Sequence, residues 1–271
     1  MSGTRQPAVA GQFYPASPAE LSAGIRAMLA DTGSAVSARL PKALVVPHAG
    51  YIYSGPVAAT AYARLTSLAG RIKRVVLLGP VHRVPVRGLA LPGVTRFSTP
   101  LGEIPLDTEA MDALSGLAQV TVSNEAHVPE HSLEVQLPFL QAVLGEFHLL
   151  PLVVGNATAG EVAEVLARVW GGDDTLIIIS SDLSHYLPYD IARQTDNETV
   201  HHIVELRPDI VHEQACGATP VNGLLSFAAR HPLQAELLDL RNSGDTAGDK
   251  SRVVGYASIA FYEPATGISD E

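Results

Sequence analysis

The residues of this chain best suited to chemistry are histidines that follow apolar runs. Leu44-Val45-Val46-Pro47 leads to His48, and Val75-Val76-Leu77-Leu78-Gly79-Pro80 leads to His82. Leu176-Ile177-Ile178-Ile179 leads through Ser180 and Ser181 to Asp182 and His185. An apolar run closed by proline or glycine reads as a buried strand, and open α/β sheets keep their ligands beyond the carboxyl ends of their strands. One histidine in such a position is ordinarily structural, but the recurrence of the pattern points to a shared rim. Two neutral imidazoles, His48 and His82, with one anionic group on the same face would leave positions open for substrate or dioxygen. That is the arrangement mononuclear non-haem iron enzymes use. Asp182, Glu134, Glu213 and the thiolate of Cys216 are the candidate anions, and spacing does not choose among them. Cys216 has a competing role as a small buried hydrophobe.

Asp182-Leu183-Ser184-His185 offers a second kind of chemistry. On a helical turn the carboxylate and imidazole would face one cavity, with His185 as general acid/base oriented by Asp182. The plainer alternative is a helix cap followed by a surface histidine. His131-x-x-Glu134 reads equally as a pair behind the ligands, a ligand pair or a solvated helix face. His212 and Cys216 have the i,i+4 spacing of zinc ligands, but two ligands on one helix do not complete a site. His127, His148, His201, His202 and His231 have no comparable context. Ser180, Ser181, Asp182 and His185 are too crowded in one turn for a hydrolase triad, and no G-x-S-x-G, P-loop or G-x-G-x-x-G follows any predicted strand. A zinc hydrolase is further disfavoured by the absence of H-E-x-x-H.

The elements that must position these groups follow from local signals. Ser17-Pro18-Ala19-Glu20 is a capping box that opens a helix to about Ala30, and Thr158-Ala159-Gly160-Glu161 opens another to Trp170. Residues 8–15 read as an N-terminal arm. A strand at 44–46, a helix capped by Ser54 and running to Leu65, and a strand at 74–78 form a β-α-β unit, which implies a parallel pair. Residues 87–106 suit hairpin or loop structure. A short helix begins at Asp107, a strand covers 120–122, and 130–140 has helical spacing in which Pro138 predicts a kink or a late start. Strands at 147–154 and 176–179 precede helices at 190–205, 209–215 and 221–229. Two closing strands, 235–240 and 253–262, are joined by a polar loop, Asn242-Ser243-Gly244-Asp245. The alternation specifies an α/β fold with a mostly parallel central sheet flanked by helices, and no seam divides residues 1–271.

Composition narrows the function class. The chain has 271 residues, 46% of them apolar and 17% charged, as in a packed enzyme-like fold. A formal charge of −10 without a basic cluster argues against nucleic-acid binding. The lone cysteine excludes an internal disulfide and fits a reducing compartment. No apolar run reaches the roughly 20 residues of a membrane span, and the N-terminus lacks a signal-peptide core, so a cytoplasmic location is expected.

Pro47-His48-Ala49-Gly50-Tyr51-Ile52-Tyr53-Ser54-Gly55, Leu78-Gly79-Pro80-Val81-His82, Glu130-His131-Ser132-Leu133-Glu134, Ser180-Ser181-Asp182-Leu183-Ser184-His185 and Cys216-Gly217-Ala218-Thr219-Pro220 resemble, in order, the signature blocks of the Memo family. Its human member is named as a mediator of ErbB2-driven cell motility, and its prokaryotic members as AmmeMemoRadiSam system protein B. Gly11-Gln12-Phe13-Tyr14 and Val254-Gly255-Tyr256-Ala257 extend the resemblance toward both ends. It implies a single Memo-like domain with a fold similar to class III extradiol ring-cleavage dioxygenases and a non-haem Fe(II) pocket, with zinc or copper as other candidate metals. By the same resemblance His48, His82 and Cys216 are the metal ligands and His185 the acid/base, with Asp182 beside it. His131, Glu134, Tyr51 and Tyr53 would shape the pocket. The ring-cleaving relatives use a carboxylate where this family has a softer, oxidisable thiolate, so ring cleavage is not simply inherited. A peptide- or small-ligand adaptor is the competing function. Radical-SAM and AMMECR1-like proteins are the partners the resemblance implies.

Overall fold

The computed structural model describes residues 2–33 and 39–264. In chain order it contains β1 (Thr4–Arg5), α1 (Pro18–Asp31), β2 (Ala43–Val46), α2 (Tyr51–Ala63), β3 (Arg74–Pro80), β4 (Leu89–Leu91), β5 (Arg96–Thr99), β6 (Gly102–Pro105), α3 (Thr108–Leu114), β7 (Val120–Val122) and α4 (Asn124–His127). There follow α5 (Leu137–Leu144), β8 (His148–Val154), α6 (Ala159–Val169), β9 (Thr175–Ser180), β10 (His185–Leu187), α7 (Tyr189–Val204), α8 (Ala218–Ala228), β11 (Gln234–Asn242), α9 (Ser243–Thr246) and β12 (Val253–Tyr262).

The main sheet runs β10-β12-β2-β9-β3-β8-β4-β7, with β11 also paired to β12, and β1-β5-β6 form a small second sheet. The four central strands, β2, β9, β3 and β8, are parallel. Helices α1, α2 and α5 pack together, as do α3, α6 and α8, and the two groups cover the sheet. A parallel strand so enclosed must be apolar on both sides. Accordingly all four residues of β2 and all six of β9 are buried. Antiparallel β12 and β11 extend the sheet beyond β2.

Several sequence expectations change in detail. The parallel β2/β3 pair is split by β9, whose Ile177 pairs with Ala43 on one side and Val76 on the other. Alternation of elements fixes strand direction but not adjacency, and β9, buried along its whole length, takes the place between them. Helix α2 starts at Tyr51 with Gly50 as its N-cap, not Ser54, whose hydroxyl lies inside the helix and donates to the Ala49 carbonyl. Pro138 produces the late start: a 3₁₀ turn, Glu134–Gln136, precedes α5, with the proline in its first turn. Residues 209–215 form turns and irregular chain rather than a helix, and Asp182 to Ser184 have no regular structure where a helical turn was considered. Ser17 and Thr158 cap α1 and α6 as their sequences require.

Candidate metal centre

Strand register brings the distant histidines level. Val46 pairs with Ser180, and Leu78 with Ile179, so the segments leaving β2, β9 and β3 emerge along one edge. There the His48 amide donates to Asp182 Oδ1 at 2.7 Å. The rings of His48 and His82 lie 5.3 Å apart, centroid to centroid. A third imidazole joins them, because Ser132 donates to the Pro80 carbonyl at the end of β3 and carries its neighbour His131 to the rim. Gly79 makes this approach feasible, since a Cβ there would lie 2.9 Å from both Leu133 and Ser132. Ligand nitrogens of His48, His82 and His131 lie within 4.8 Å of one another. This group could hold a metal ion.

Hydrogen bonding settles which nitrogens are free. Gln136 Nε2 must donate to the Pro47 carbonyl, which can only accept, and it also donates to Ser180 Oγ at 2.7 Å. Ser180 spends its one proton on the Ser132 carbonyl at 2.6 Å. The 2.9 Å contact between Ser180 Oγ and His48 Nδ1 therefore requires a proton on Nδ1. His48 Nε2 is left with a bare lone pair. Likewise His82 Nδ1 donates to Glu130 at 2.9 Å, which frees its Nε2. A carboxylate or hydroxyl behind an imidazole is how proteins orient a metal-binding histidine and fix its tautomer.

Glu130 organises the centre more than any other side chain. Its oxygens accept from the His82 amide and ring and from the amides of His131 and Ser132. Burial raises its pKa, but these donors outweigh burial and bring it to about 2. Burial, with help from nearby His82, lowers His48 to about 3. Burial and neighbouring His48 lower His131 to about 4. Both imidazoles are therefore neutral at pH 7, the form that binds metal.

Cys216 touches the group at one point, with Sγ 3.3 Å from His48 Nε2. That is the spacing of two donors bound to one cation at about 2.1 Å and 2.3 Å with an angle near 100°. Burial and the Asp182 charge push the thiol up to about 12, while the Asp182 amide donates to the sulfur at 3.3 Å. Without a cation the group is thus a thiol. With one, the thiolate has a backbone donor already in place. His212 does not share Cys216's surroundings: it is exposed and meets Thr219.

The centre opens into a cavity of about 640 Å³ whose lining includes Phe13, Tyr53, Asp182, His185, Tyr186 and Tyr256. Asp182 is buried, which raises its carboxyl pKa. His185 reaches the same cavity from β10, so the two face it from an irregular connection and the strand that follows it. Phe13 packs on His131 at 4.8 Å. Tyr51 and Glu134, expected at the pocket, lie behind it. Tyr51 donates to the Val135 carbonyl, and Glu134 is buried against Arg5, Tyr14 and the amides of Ala8 and Val9. The His131-x-x-Glu134 spacing suggested a shared face, but the Glu134 carboxylate points the other way, where it anchors the arm that carries Phe13. Sequence reasoning missed Glu130, Ser180 and Gln136. For Gln136 the signal was a polar residue inside the apolar stretch 135–140, which marks a satisfied buried group.

The fold and site together define an α/β protein with a tautomer-locked histidine cluster at the carboxyl edge of a parallel sheet. The family described as Memo-like protein matches residues 5–260, and the chain belongs to it. A "MEMO1 family protein" of Sulfolobus acidocaldarius is 39% identical, covering 95% of this chain and 99% of its own. One from Aquifex aeolicus is 37% identical, covering 95% and 98%. The crystal structure of an uncharacterized protein from Escherichia coli K12 superposes with a TM-score of 0.51 at 14% identity, over 81% of this chain and 99% of that one. This last likeness concerns the fold alone.

Proposed function

We propose that the chain is an iron-dependent, dioxygenase-like oxidoreductase acting on a small, aromatic substrate in the histidine cavity. The observation that supports it most is the locking of His48 and His82 with their Nε2 lone pairs free beside His131 and Cys216. His48 and His82 would hold Fe(II), with Cys216, His131 or both completing the set. Bound iron would supply an open position at which dioxygen, the oxidant, meets the substrate, whose own ring provides the electrons that reduce it. His185 accepts a proton from a substrate hydroxyl and later returns it. Asp182 fixes the His48 backbone through its amide, and Phe13, Tyr53 and Tyr256 exclude water around a planar substrate. Three imidazoles are also the ligand set of catalytic zinc, which supports a hydrolase as the second reading.

Anaerobic equilibrium dialysis separates these readings. Iron is expected to load once per chain and to be lost in His48→Ala. Comparison of His131→Ala with Cys216→Ser identifies the remaining ligand. Dioxygen uptake with catechol, accompanied by a ring-opened product, is the expected activity. Preferential zinc loading, or iron retained in His48→Ala, would overturn the proposal.

A further inference from the structure

The histidine cavity carries two cations that the metal reading does not use. Arg83 lies one residue beyond His82, and Arg252 immediately precedes β12; both line the cavity. They come from different elements of its rim. Among the described residues neither guanidinium forms an ion pair, in a chain whose formal charge is −10. Arg252 lies over the exposed Tyr186 ring at 5.2 Å, which keeps its head at the mouth. Asp249, the acid nearest in sequence, turns its carboxylate into its own loop, accepting from the Ser251 amide and hydroxyl. The amino terminus of α2 adds positive potential: Ala49 and Gly50 line the cavity, and no side chain caps the helix.

We infer that Arg83 and Arg252 form a carboxylate-binding subsite, so that the ligand of this cavity is a small planar organic acid. A guanidinium fork matches a carboxylate bidentately, and the aromatic walls, Phe13, Tyr53 and Tyr186, suit a flat body between the acid group and the histidines. Asp182 and Asp249 at the same cavity disfavour a phosphate dianion relative to a carboxylate monoanion. The inference rests on the proposed function for the orientation of the ligand, with its acid group at the mouth and its reacting end at the imidazoles.

The test is calorimetric titration of the full chain with 3,4-dihydroxybenzoate, catechol and phenyl phosphate, in metal-free and anaerobic Fe(II)-treated protein. The dihydroxybenzoate is expected to bind roughly tenfold more tightly than catechol, the size of one partly exposed charge-assisted hydrogen bond. Arg83→Gln and Arg252→Gln should each reduce that preference and together abolish it, leaving catechol affinity within twofold. Both arginines are exposed, so the variants should fold, and unchanged catechol binding confirms that they do. Equal affinity for the two diols, no binding of the benzoate in either form, a preference that survives both substitutions, or tighter binding of phenyl phosphate would each overturn the subsite. Failure to load iron would overturn the proposed function alone, because the metal-free titration judges the arginines separately.

Discussion

Replacing Glu130 by glutamine probes the centre without touching a metal-facing atom. In the native chain Oε1 accepts from His82 Nδ1, His131 N and Ser132 N, each at 2.9 Å, and Oε2 accepts from His82 N at 2.5 Å. A glutamine has one acceptor oxygen. Placed at the Oε1 position it keeps three bonds, but its amide nitrogen then faces the His82 N–H, donor against donor. The opposite orientation sets three donors against the amide, which is worse. The variant therefore loses the charge behind His82 and strands one buried N–H, at a stability cost of about 1–3 kcal/mol. Loss of such a partner behind a ligand weakens metal binding by about 10- to 100-fold, or about 1.4–2.7 kcal/mol. Urea unfolding of the metal-free protein measures the first effect, and chelator competition for Fe(II) under argon at pH 7 the second. A folded Glu130→Gln protein whose affinity stays within twofold of wild type would refute the assignment of Glu130 as the residue that orients His82.

Other consequences follow from buried polar groups. Arg5→Met leaves the Glu134 carboxylate buried without its cation, so unfolding free energy should fall by about 3–5 kcal/mol in denaturant titration; a loss below about 1 would show the pair to be dispensable. Gln136→Leu strands the Pro47 carbonyl and the Tyr62 hydroxyl and should cost about 2–6 kcal/mol while also weakening iron binding, since the His48 tautomer loses its support. Asp196 is buried in α7, and desolvation raises its pKa to about 6. Its native state holds a proton that the unfolded state releases at lower pH, so its contribution is full below about pH 4 and is lost as pH rises through 6. The contribution is at most about 3 kcal/mol by linkage. Asp196→Asn should remove that pH-dependent component, read as the difference between variant and wild-type stability from pH 4 to 8; parallel pH profiles would contradict it. Gly255→Ala places a Cβ 2.0 Å from Asp196 Oδ2 and should lower Tm through overpacking, whereas an unchanged Tm would show that this contact relaxes freely.

Local signals in the sequence determined a good deal. Helix starts at Ser17 and Thr158, the late start at Pro138 and the apolar strands ending near His48, His82 and Asp182 all depend on neighbours within a few residues. Each can be read from side-chain capping, proline geometry and apolar run length. The α/β class followed from the alternation of such elements. Only the tertiary structure decided that β9 enters between β2 and β3, that Glu130 and His131 reach the same rim, and that Glu134 turns away toward Arg5. Those outcomes depend on strand order and on loops whose partners lie dozens of residues away. A chain's local chemistry carries the direction of a strand and the cap of a helix, but hydrogen bonds between distant segments exist only once packing has brought them together.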